Sequence, residues 1–182
     1  NNDNIKNYIN IIKIIELIIL IIFLTQDIFI FYIMYELIII PMFILIIKFG
    51  SIRKKIEASY KFLIYTIFGS IFFLIGLIYI YFKYSTFNID LLQFYLSFEN
   101  FNIQKLLWFS MILSFIIKIP MYPLHTWLPF AHVQAPAIAS VILAAILLKI
   151  GVYGIIKFNI MFFYHINLYY SPILILLALI SI

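Results

Sequence analysis

The chain has 182 residues, of which 66% are hydrophobic, 20% aromatic and 10% charged. Soluble domains average roughly 45–50% apolar and about 25% charged residues, so the composition excludes a water-soluble globule and points to an integral membrane protein. Twelve Lys and Arg against seven Asp and Glu, scattered along apolar sequence, exclude a nucleic-acid-binding face. The absence of cysteine excludes a disulfide framework, a thiol nucleophile, a thiolate metal site or an iron–sulfur cluster held by this chain.

A bilayer core about 30 Å thick needs roughly 20 apolar helical residues. Polar breaks divide the sequence into about six such spans, which predicts an all-α polytopic protein with one transmembrane domain over residues 1–182. The first span covers residues 8–24 and carries Lys13 and Glu16, three apart on one face, where they are expected to pair near a membrane edge. The break Thr25–Gln26–Asp27 reads as a tight turn, with Asp27 placed to cap the next helix.

The second span, 28–47, carries Glu36 near its middle. An ionisable group at such depth costs roughly 2.5–3.5 kcal/mol to insert, and neither end of the span is within easy reach for snorkelling. A charged surface loop with Lys48, Arg53, Lys54, Lys55 and Lys61 leads to the third span, 60–82. Six connected spans put these cations on one side, which the positive-inside rule makes the cytoplasmic or matrix side. Residues 83–105 read as a longer, more polar connection.

The fourth span, 106–124, is interrupted. Its apolar run LLWFSMILSFII is too short to cross a membrane, and Lys118 follows at once, then Pro120 and Pro123. Proline removes a backbone donor and clashes with the preceding turn, so the helix must break here. Irregular backbone at membrane depth is tolerated where it is buried in protein or lines a wet cavity, and broken helices mark transport sites. Beyond the break lie His125 and His132, whose side-chain type exchanges protons near neutral pH. A metal site is the rival reading for this pair, and it has too few ligands. Trp127 reads as an interfacial anchor.

The fifth span, 136–158, carries Lys149 near its middle, and a sixth runs over 162–182. Ala137, Ser140, Ala144, Gly151 and Gly154 form an expected strip of small residues on one helix face, with a weaker strip at Gly69 and Gly76. Together Glu36, Lys118, Lys149, His125 and His132 outline a proton or cation path across a membrane interior. The competing reading makes them struts of a non-transporting scaffold.

The stretches FYIMYELIIIPMFILI and KIPMYPLHTWLPFAHVQAPAIASVILAAILLKIGVYG closely resemble the antiporter-like membrane subunits of NADH:ubiquinone oxidoreductase, respiratory complex I. These are also similar to subunits of multisubunit cation/proton antiporters. The resemblance implies inverted five-helix repeats, each with a broken helix, and proton translocation coupled to NADH oxidation and ubiquinone reduction. By position, Glu36 matches the family glutamate, Lys118 its broken-helix lysine partner, Lys149 the central lysine, and His125 and His132 the histidines beside the break. Gln134 stands where the family usually has an acidic residue, Ala139 where it usually has Gly, and Pro123 where Gly is frequent. The resemblance further implies a multi-pass place in the mitochondrial inner membrane, an origin that strong use of Ile, Phe, Tyr, Asn and Lys also favours. The chain itself is expected to hold no cofactor and no redox site. NADH, FMN, iron–sulfur clusters and ubiquinone belong on partner membrane-arm and redox subunits. Since it covers one repeat plus the first helix of the next, a further chain or segment is expected to supply the missing half.

Overall fold

A computed structural model describes residues 2–50 and 54–181, and Arg53, one of the loop cations used to orient the chain, lies outside them. All elements among the described residues are helical: α1 (Asn2–Leu24), α2 (Ile28–Leu37), α3 (Ile39–Phe49), α4 (Lys55–Tyr84), α5 (Ile89–Ser97), α6 (Phe101–Lys118), α7 (Trp127–Gln134), α8 (Ala137–Ile142), α9 (Leu148–Gly154) and α10 (Tyr164–Ile180). Two π-helical stretches, Leu143–Leu147 and Ile155–Ile160, flank α9. Among the described residues five helical units are long and apolar enough to cross a membrane, and α10 is a shorter apolar helix in the region of the expected sixth span.

The expected cap is present: the Asp27 carboxylate accepts from the backbone N–H of Phe29 at 2.8 Å and of Ile30 at 3.0 Å. The span that follows, Ile28–Phe49, stays helical through Ile38, whose N–H donates to the Met34 carbonyl at 3.2 Å and whose carbonyl accepts from Met42 at 3.4 Å. The turn between α2 and α3 is loosened by Pro41, which offers no N–H to the carbonyl four residues earlier.

Residues 83–105 are more ordered than the sequence reading expects. The helix α4 runs on to Tyr84, α5 occupies part of the connection, and α6 starts at Phe101. The apolar run ending at Lys118 is therefore the core of an 18-residue helix of spanning length. Its polar first turns are accommodated locally, since buried Gln104 donates to the carbonyls of Leu96 at 2.7 Å and Glu99 at 3.1 Å.

Lipid tails are as apolar as leucine, so helices in a bilayer associate by close packing rather than by leaving water. Here α4 packs mainly on α6, with α7 and α3 beside it. The contact is close because Gly69 lies against Ile117 and Gly76 against Ser110. An aromatic cluster joins four helical segments at the centre: Phe31 stacks edge-on to Phe158 at 4.6 Å, Phe73 to Phe115 at 5.4 Å and Tyr35 to Phe115 at 5.9 Å. All five rings are buried.

The small-residue strip holds only in part. Gly151 and Gly154 pack against Ile119 and the Phe115 ring of α6, whereas Ala137 and Ala144 are exposed. The π-helical stretch between them explains the difference. Its widened turn, with the Leu148 N–H reaching back to the Leu143 carbonyl, carries one extra residue and rotates the following face by about 100°.

Candidate functional site

The break after α6 is built from unpaired helix-end carbonyls. A helix leaves its last carbonyls without intrahelical donors, and Pro120 cannot serve Ile116. Met121 N–H takes over instead, at 3.2 Å from the Ile116 carbonyl, and the indole of Trp127 donates to the Ile117 carbonyl at 3.0 Å. Trp127 is 1% exposed, so it is not the interfacial anchor its type suggested. Its nitrogen found a helix end to cap inside the protein, which fixes α7 against the end of α6.

Lys118 is the last residue of α6 and is 2% exposed. Its ammonium donates to the Tyr35 carbonyl at 2.6 Å and sits 3.1 Å from the centre of the Tyr35 ring. The Tyr35 hydroxyl in turn contacts the Ser114 carbonyl at 3.1 Å and hydroxyl at 3.2 Å, one turn before Lys118. Tyr35 was not singled out by the sequence reading, because one aromatic among many in an apolar span carries no signal of its own. Its position next to Glu36 was the available clue.

Glu36 is half-buried, and one carboxylate oxygen, Oε1, is shielded and lacks a hydrogen-bond partner. Lys118 and the Ser70 hydroxyl are its electrostatic neighbours. The carboxylate lines a groove of about 400 Å³ with Tyr32, Ile33, Leu37, Ile40, Leu63 and Ile67. Glu36 and Lys118 are thus brought together across α2 and α6, yet they do not form a contact ion pair. The ion pairs among the described residues are Lys61–Glu57 and Lys83–Glu99.

The other expected site residues stand apart from this pair. Lys149 is exposed on α9, between the two π-helical stretches, and no hydrogen bond or ion pair joins it to another described residue. His125 is exposed in the turn after the break with its ring 5.8 Å from that of Tyr122. His132 is exposed on α7, where its carbonyl accepts from the Ser140 hydroxyl at 3.1 Å. Among the described residues no three His, Asp or Glu side chains gather as a metal-ligand set. Lys13 and Glu16 are both exposed on α1 and make no ion pair, contrary to expectation.

The transmembrane family described as NADH:quinone oxidoreductase/Mrp antiporter matches residues 25–182. The chain is 42% identical over 160 residues to "NADH-ubiquinone oxidoreductase chain 4" of Marchantia polymorpha, covering 88% of this chain and 32% of the relative. It is 40% identical over 179 residues to the protein of the same name in Chondrus crispus, covering 98% of this chain and 36% of that one. It is 39% identical over 153 residues to "NADH-quinone oxidoreductase subunit M" of Rickettsia bellii, covering 84% and 31%. The chain therefore spans about a third of the length of the curated relatives it matches. Among solved structures, a chain of respiratory complex I from Thermus thermophilus with bound NADH superposes with a TM-score of 0.85 at 25% identity, covering 96% of this chain and 37% of that one. The membrane-bound sulfane sulfur reductase, an archaeal respiratory membrane complex, shares the fold, with a TM-score of 0.69 at 23% identity over 79% of this chain and 23% of that one.

Proposed function

We propose, from the premise that the chain belongs to the NADH:quinone oxidoreductase/Mrp antiporter transmembrane family, that it is a proton-translocating part of the membrane arm of a respiratory NADH:ubiquinone oxidoreductase. The observation that carries this reading is Lys118, a buried ammonium at a helix break, held one residue from Glu36 across a helix interface. A charge kept at such depth is costly, and a break that places it beside a second titratable group gives it a use. Protons pass between Glu36 and Lys118 and onward to Lys149, with His125 and His132 exchanging them at the aqueous face beyond the break. Lys149 is exposed here, and on this reading its face is covered by the remaining helices of the subunit.

The redox chemistry lies elsewhere. NADH, FMN, iron–sulfur clusters and ubiquinone are carried by partner subunits, and this chain works as a multi-pass component of the mitochondrial inner membrane beside other membrane-arm chains. The names of the Marchantia and Chondrus relatives support the mitochondrial assignment. They also favour the oxidoreductase over a cation/proton antiporter, the other branch in the family description.

Replacement of Lys118 by Met, in an assembled complex whose subunit content is checked on native gels, tests the reading. Proton translocation per NADH oxidised is expected to be lost. Translocation at the wild-type ratio would overturn it in favour of a scaffold.

A further inference from the structure

We propose that Tyr35 is a positioning residue that parks the Lys118 ammonium away from Glu36, so that proton exchange between the two requires the ammonium to leave the Tyr35 ring. The inference rests on the reading of Lys118 as part of the proton path.

Three contacts define the parking place. The backbone carbonyl of Tyr35 accepts from Lys118 at 2.6 Å, the ring lies 3.1 Å beneath the ammonium, and the hydroxyl is tied to Ser114 on the same helix as Lys118. A cation over an aromatic face is held by the ring quadrupole, most strongly where water is excluded. Tyr35 is 1% exposed and sits in the aromatic cluster with Phe31, Phe73 and Phe115. The ring therefore has no room to follow the lysine if it moves.

Successive helix residues point about 100° apart. The Tyr35 ring accordingly faces α6, while the Glu36 carboxylate opens into the groove shared with α4 and keeps Oε1 unpartnered. An ammonium has three donors, and the Tyr35 carbonyl takes one. The ring covers the ammonium and no contact ion pair with Glu36 is made from this position, so on this proposal Lys118 reaches Glu36 by rotating its own flexible stem off the ring. On α2, Glu36 acts on Lys118 and Tyr35 contacts it directly; Tyr32 of α2 and Ser70 of α4 face Glu36, and Ser114 of α6 bonds the Tyr35 hydroxyl.

The test uses the intact complex in sealed membrane vesicles and follows proton translocation per NADH oxidised as a function of pH. Tyr35→Leu and Tyr35→Met remove the ring and keep the carbonyl. Each is expected to move the pH profile of translocation by roughly one unit, the size of a single cation–ring contact. Tyr35→Phe keeps ring and carbonyl but releases Ser114, and is expected to restore the wild-type profile at a reduced rate. A wild-type profile in a ring-free variant overturns the proposal. So does a shift in Tyr35→Phe as large as one unit, which remains decisive if the ring-free variants fail to assemble. Lys118→Met separates the two levels. Normal translocation in that variant sinks the proton-path reading itself, whereas lost translocation with an unshifted Tyr35→Leu profile sinks the parking role alone.

Discussion

The Trp127 indole closes the end of α6 by donating to the Ile117 carbonyl at 3.0 Å, ten residues back along the chain. Removing this donor while keeping an aromatic ring, as in Trp127→Phe, leaves a buried carbonyl unpaired, at a cost of about 1–3 kcal/mol. The expected outcome is lower thermal stability of the subunit, and faster proteolysis of the segment 119–126, read on purified complex. Unchanged resistance to both would show that the cap does not fix the break.

Glycine contacts between helices should differ in tolerance according to what they meet. A Cβ at Gly151 would lie 2.7 Å from Ile119 Cγ1 and 3.3 Å from the Phe115 carbonyl, whereas one at Gly76 meets the Ser110 hydroxyl, a group that can rotate aside. We expect Gly151→Ala to destabilise by about 1–3 kcal/mol, as overpacking does, and Gly76→Ala to be much milder. Assembled fraction on native gels, with denaturant titration of the purified complex, ranks the two. Equal effects would contradict the packing described between α6 and α9.

At the far end of α4, Lys83 pairs with Glu99 at 2.6 Å and the Tyr84 hydroxyl donates to the same carboxylate at 2.5 Å. The Lys83 hydrogen bond first, and that of Tyr84 second, hold the Glu99 carboxyl below its usual range. A carboxylate depressed in the folded state contributes stability above its unfolded value, about 4.3. That stability is lost as pH falls through the folded value. Local opening of the 85–100 segment is therefore expected to increase below about pH 4, and Glu99→Gln should remove this acid-dependent component. Hydrogen exchange of that segment against pH checks it; identical profiles in both proteins would rule it out.

Lys149 distinguishes a relay from a strut. Lys149→Arg keeps a positive charge but stays protonated throughout the working range, so a relay predicts normal assembly with poor translocation. Lys149→Met should also assemble and fail. A strut predicts that Arg is tolerated, and that Met is either neutral or prevents assembly through an orphaned partner charge. Proton translocation per NADH oxidised decides, and full pumping with Arg at this position returns Lys149 to a structural role.

The legible parts of the fold were those in which one residue type dictates one local outcome. Asp27 before an apolar run gave a cap, and Pro120 after Lys118 gave a helix end at that lysine. The misread parts depended on partners distant in sequence. Trp127 has the composition of a membrane-surface residue until Ile117 is brought to it. Gln104 reads as a loop residue until Leu96 and Glu99 offer carbonyls. The π-helical turns around Lys149 leave no trace in hydrophobic periodicity, yet they decide which of the small residues face α6. In the candidate site, Glu36 and Lys118 were visible as charges out of place. Tyr35 became visible only when its carbonyl, ring and hydroxyl were seen to converge on one lysine and its helix.

One junction away from the site bears on how the chain is threaded into its membrane. Asp27 and Asn88 cap the helices that follow them, and their loops clasp one another: Ile28 N–H donates to the Phe87 carbonyl at 3.0 Å and Ile89 N–H to the Gln26 carbonyl at 3.1 Å. These two backbone bonds hold the α1–α2 loop and the loop after α4 side by side, so the C-terminal ends of α1 and α4 lie at the same end of the bundle and the crossing direction of α4 is tied to that of α1.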